Sequence, residues 1–118
     1  MTDTSFPAVF KEQAAAVMAV LQKEGWAMFQ GNDDVWDKPY RSIGNQTAAA
    51  YLHVWNDLHA FTVKFDFYSE GRNVCEADSA LIYPEDSAEK ATAAIEQALK
   101  NVERSIRESY ACRFADYA

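Results

Sequence analysis

The chain has 118 residues, 49% of them apolar and 14% aromatic, which suits one domain (residues 1–118) with its own core and lies far from the composition of a disordered chain. Its 18 acidic residues against 11 basic ones give a formal charge of −7, and the basic residues never form a run. That balance argues against direct binding of a nucleic-acid backbone or an anionic membrane, and leaves a basic or unfolded protein segment as the partner to expect.

No apolar stretch approaches the roughly 18 residues that a membrane span needs. The start, Met-Thr-Asp-Thr-Ser, lacks the basic residues of a secretory leader. Cys75 and Cys112 are isolated, without CxxC spacing, and read as reduced thiols of a cytoplasmic protein.

Residues 7–24 are expected to be helical. Phe6, Phe10, Ala14, Val17 and Leu21 recur at helical spacing, Pro7 suits a first turn, Thr4 or Ser5 can cap it, and Gly25 provides the stop. The run AAAVMAVL is apolar nearly all round, which predicts burial on more than one side. WAMFQ at 26–30 reads as a short strand and GNDD as the turn after it. VWDKPYRSI at 35–43 reads as a strand broken at Pro39, whose nitrogen cannot donate to a ladder and so belongs at an edge or a bulge. GNQ at 44–46 reads as the next turn.

Residues 47–55, 60–68 and 74–83 are rich in aromatic and β-branched types and read as strands. In the second of these, Phe61, Val63, Phe65 and Phe67 alternate with Thr62, Lys64, Asp66 and Tyr68, the pattern of a strand with one buried face. Side-chain parity then assigns the neighbours. An even hairpin loop around Asn56 and Asp57 sends Ala50, Leu52 and Val54 to the core. It turns Tyr51, His53 and Trp55 outward, and its four-residue form sets Val54 opposite Phe61. At SEGRN an odd loop is expected. It brings Ala77, Ser79 and Leu81 to the core and turns Glu76 and Asp78 outward, whereas an even loop would bury those two carboxylates unpaired.

Pro84 ends the last strand, and a long helix runs from Ser87 to about Cys112. Asp86 and Glu89 resemble a capping box, and Ala91, Ile95, Ala98, Leu99, Val102, Ile106 and Tyr110 form one apolar stripe. The expected fold class is α+β: a two-layer sandwich in which an antiparallel meander of four to five strands carries an N-terminal and a long C-terminal helix on one face. Size and acidity resemble the small secretion chaperones as a class. NDLHA at 56–60 leaves no room for the helix that their pattern carries between the third and fourth strands, so no family is assigned.

His53 and His59 are the two histidines, and hairpin parity keeps them from converging, so no metal site is expected. GNDDVWD at 31–37 lacks the calcium-loop spacing. No GxSxG, HExxH or phosphate-cradling loop occurs, and His53 near Asp66 lacks a companion nucleophile, so no catalytic residue and no cofactor are assigned.

What remains is the outward face of the sheet. Tyr51, His53, Trp55, Lys64, Asp66, Tyr68, Glu76 and Asp78 are the candidate protein interface, with Trp55 and Tyr51 as anchors and the charges setting register. The function read from this is a small acidic cytosolic protein-binding module, such as an adaptor, a chaperone-like protein or an inhibitor, expected to pair as a homodimer. Two alternatives stand beside it. One is a small enzyme or ligand binder with a pocket between the first helix and the sheet, using His53 or Tyr51. The other is an acidic mimic of nucleic acid, of the inhibitor or immunity-protein kind.

Overall fold

The computed structural model describes residues 6–41, 46–55 and 59–113, with the side chains of 40, 41, 74, 75 and 106–113 excepted. Several expectations lie outside that set: the cap at Thr4 or Ser5, residues 44–45 of the GNQ turn, the Asn56–Asp57 loop, the side chains of Ile106 and Tyr110, and the reading of Cys75 and Cys112 as reduced thiols.

Five strands form one antiparallel sheet in the order β1-β2-β3-β4-β5: β1 Ala27–Phe29, β2 Asn32–Arg41, β3 Gln46–Val54, β4 Phe61–Ser69 and β5 Arg72–Ile82. A short 3-10 turn at Ala8–Phe10 leads into helix α1, Lys11–Lys23, and helix α2 spans Ala88–Arg113. Both helices lie on one face of the sheet. The core there joins Phe10, Val17 and Leu21 of the N-terminal segment to Ala50, Phe65 and Phe67 of the sheet and to Ile95 and Val102 of α2. The α+β two-layer sandwich expected from the pattern is what forms.

The N-terminal helix stops where Gly25 takes a left-handed φ of +93°, which glycine adopts without a Cβ penalty. Gly25 N–H then bonds to Gln22 O and Trp26 N–H to Leu21 O, the paired bonds of a Schellman close, and Trp26 turns into the core against Phe65. Lys38 Nζ reaches back from β2 to Glu24 O at 2.8 Å, a cation at the negative end of the helix. Gln13 is buried, and its Nε2 donates to Pro84 O and Asp86 O, which ties α1 to the chain entering α2.

Two details of the elements differ from expectation. The β1–β2 turn is Gln30-Gly31, with both residues at positive φ (53° and 79°), as a type I′ hairpin requires. Asn32, Asp33 and Asp34 therefore belong to β2 and not to a turn. At α2 the cap is Ser87, whose Oγ accepts from Lys90 N–H at 3.1 Å. Asp86 instead accepts from Tyr83 N–H at 2.9 Å and pairs with Lys90 Nζ at 3.1 Å, and the backbone bond first, then Lys90, holds its carboxyl below the usual value. Pro39 sits beside a register shift in β2, opposite Thr47 and beyond the stretch that pairs with β1.

The registers fix the two sides of the sheet. Val54 stands opposite Phe61, Leu52 opposite Val63 and Ala50 opposite Phe65, so these side chains face the helices. The β4–β5 hairpin departs from the odd loop expected there. Its turn is the two-residue Glu70-Gly71, with Ser69 opposite Arg72, and two bulges then follow in β5. The first bulge, between Phe67 and Tyr68, turns Glu76 outward opposite Asp66. The second, between Phe65 and Asp66, reverses the parity again. Asp78, Ala80 and Ile82 therefore stand on the helix side, and Ser79 and Leu81 on the outer side.

Candidate functional site: the open face of the sheet

The face away from the helices is built by alternate residues of all five strands. At the end where β3 leaves the sheet, Trp55 Nε1 donates to Thr62 Oγ1 at 2.7 Å, and His53 packs edge-on against the Trp55 ring with centroids 5.4 Å apart. Thr62 stands opposite Leu81 on β5. His53, Trp55, Thr62 and Leu81 make a row across three strands, in which Trp55 (49% exposed) and Leu81 (48% exposed) present apolar surface to solvent. The hydrogen bond and the ring contact hold the indole in one place, so its exposure is a property of a fixed side chain.

The other end is organised by two tyrosines. Tyr51 and Tyr68 lie on adjacent strands, on the diagonal across the Ala49–Asp66 pair, and their hydroxyls meet at 2.7 Å. The small Ala49 leaves room for the rings to reach over it. This arch explains why Asp66 is only 3% exposed on a face that neither helix covers. Asp66 Oδ2 lies 3.5 Å from Lys64 Nζ, whereas Oδ1 is buried with no hydrogen-bond partner among the described residues. Burial first, then the bond to Tyr68 and the nearby charge of Asp66, pushes the Tyr51 phenol up from 10.0 to about 12, so Tyr51 is neutral at ordinary pH. Beside the arch, toward β1, a cavity of about 330 Å³ is lined by Phe29, Val35, Asp37, Ala49, Tyr51 and Tyr68, among others.

Tyr51, His53, Trp55, Lys64, Asp66, Tyr68 and Glu76 thus share this face as expected from parity. Asp78 does not. The second bulge carries it to the helix side, where its Oδ2 accepts from Asn101 Nδ2 of α2 at 3.0 Å. The penalty foreseen for burying this carboxylate is avoided by pairing at the sheet edge. Ala77 packs against the core as expected, but Leu81 is exposed and Ile82 takes the buried place beside Phe61. Sequence reasoning also missed Phe29, Val35, Asp37, Thr47 and Ala49 as parts of the face. The signal for them was the same alternation, carried one strand further from β3 into β2.

His59 lies just before β4. Among the described residues no group of three or more His, Cys, Asp or Glu side chains is placed to hold a metal ion. Tyr51 and His53 lie on the face opposite α1, so a pocket between that helix and the sheet would lack both. Trp36, central to the acidic stretch 33–37, is buried with its Nε1 on Asp33 O at 2.8 Å, and offers no aromatic centre to an acidic patch. No described helix is long and apolar enough to cross a membrane. Compared with protein-family models, curated proteins and solved structures, the chain matches none of them.

Proposed function

We propose that the protein is a small acidic protein-binding module that docks a second protein surface on the open face of its sheet, and that two copies pair through this face when no other partner is present. The observation that carries the reading is the fixed, half-exposed row of Trp55 and Leu81 beside His53, on a face that α1 and α2 leave uncovered. Aromatic side chains held in one rotamer lose little entropy on contact and bury large area, which is the make-up of an interface centre. Lys64 and Glu76 lie on the same face and would set register at its margin.

Light scattering on the wild type and on Trp55→Ala tests the proposal. The expected outcome is a wild-type dimer and a folded Trp55→Ala monomer. A Trp55→Ala chain that remains a dimer would place the contact elsewhere. A wild type that is monomeric at every concentration would remove the self-pairing. Because each copy carries a charge of −7, pairing should tighten as salt is raised, whereas a basic partner should bind more weakly.

A further inference from the structure

We propose that the depression beside the Tyr51–Tyr68 arch is a receptor for the guanidinium of an arginine side chain presented by the partner protein. This rests on the reading of the open face as a docking surface and names the partner chemistry which that reading leaves open. The depression lies at the opposite end of the face from the Trp55–Leu81 row, so the two can be tested separately.

Its lining decides the class of guest. Phe29, Tyr51 and Tyr68 supply ring surface, Val35 and Ala49 supply carbon, and Asp37 supplies a carboxylate, while no basic side chain lines it among the described residues. An anion would meet Asp37 directly and the whole chain's negative charge behind it. A neutral apolar guest would leave that carboxylate unused. A cation satisfies both the rings and the carboxylate, through the negative faces of the aromatics and through a charge-assisted hydrogen bond.

Asp66 adds the second observation. It stands opposite Ala49, a residue that lines the depression, and the arch of Tyr51 and Tyr68 covers it. Its Oδ1 is buried and has no donor among the described residues, and Lys64 Nζ lies 3.5 Å from the other oxygen. A carboxylate in that state gains from any positive charge brought beside it. Asp37, Ala49 and Asp66 stand in one cross-strand register, so Asp37 is the carboxylate of the lining and Asp66 stands behind Ala49 beneath the tyrosine arch. Two carboxylates without a third ligand do not make a metal site, and no metal-ligating group of three is present among the described residues.

Between the two cationic side chains, arginine fits better than lysine. Its guanidinium is flat, stacks on tyrosine and phenylalanine faces, and sheds water more readily than a compact ammonium. The cavity, about 330 Å³, has room for the flat head and part of its stem.

The test uses the full chain, isotopically labelled, titrated with N-acetyl-arginine-methylamide and separately with its neutral isostere, N-acetyl-citrulline-methylamide. The proposal expects saturable shifts of the Thr47, Ala49, Tyr51 and Tyr68 amides with the arginine probe and none with citrulline. Asp37→Asn and Asp66→Asn should each weaken the arginine probe at least about fivefold, the size expected from losing one partly shielded charge partner. Near-ultraviolet circular dichroism checks that both variants remain folded, and Asp37→Asn decides alone if Asp66→Asn does not fold. Arginine and citrulline acting alike, or no saturable shift at these amides, overturns the proposal. Trp55→Ala separates the two readings: it should lose self-pairing yet keep the arginine response. A wild type that pairs through Trp55 but ignores the arginine probe overturns this inference and leaves the docking face standing.

Discussion

Strand β4 carries two different surfaces on one backbone. Toward the helices, Phe61, Val63, Phe65 and Phe67 are sealed by residues from α1, α2 and three other strands. Away from them, Thr62, Lys64, Asp66 and Tyr68 meet no helix, and their order comes from hydrogen bonds: Trp55 to Thr62, Tyr51 to Tyr68, Lys64 beside Asp66. The helix side is held by shape, so a change of volume there is felt by the whole fold. The open side is held by a few directional contacts that fix individual side chains and leave their surfaces free. A face needed only for solubility has no use for a pinned, half-exposed tryptophan. The contrast between the two sides is what supports a binding role.

The comparison is broken most severely from the helix side. Phe65→Ala removes a fully buried ring that packs against Trp26, and should cost about 3–5 kcal/mol in urea unfolding. Next in size is Asp78→Ala, which strips Asn101 of its acceptor at the sheet edge and should cost about 1 kcal/mol in the same measurement. Asp78 acting as an outward residue would show no such loss.

On the open side the effects are smaller and of another kind. Tyr68→Phe removes the hydroxyl bridge and should cost about 0.5–1 kcal/mol. It should also bring the Tyr51 ionisation, followed by absorbance, down from about 12 toward 10.0. The sign of the linked stability follows from the raised value. The neutral Tyr51 contributes fully below pH 10.0, the unfolded value, and its contribution is lost as pH rises from there toward about 12. Tyr68→Phe should narrow that alkaline window. Smallest of all, Trp55→Ala should change folding stability by no more than about 0.5–1 kcal/mol, because its ring is half in water and holds one exposed hydrogen bond.

Much of this arrangement was legible in the chain itself. The strict alternation from Phe61 to Tyr68 told both faces of β4, and parity through an even loop then told those of β3, with Val54 opposite Phe61 in its four-residue form. Gly25 announced the end of α1 because its φ of +93° is one that few other residues tolerate. What escaped was β5. Each of its bulges adds one residue and reverses the side of everything after it, and neither is marked by glycine or proline. Asp78 and Leu81 were therefore assigned to the wrong sides. The partner that satisfies Asp78, Asn101, lies on a helix beyond the reach of local pattern reading. The burial of Asp66 was hidden for a related reason: it depends on two tyrosine rings crossing a diagonal, and alternation alone does not reveal how far a side chain leans.

The most direct test of the open face as the working surface is Leu81→Asp, with unfolding and solution mass measured on the same preparation. Leu81 is 48% exposed, in the row with Trp55, and sits across from Thr62. The account predicts a folding stability within about 0.5–1 kcal/mol of wild type, together with loss of the dimer, since a carboxylate at the centre of the contact would be buried without a partner. A variant that unfolds would return Leu81 to the core and invert the face. A variant that folds and still pairs would show that this face is not where the protein binds.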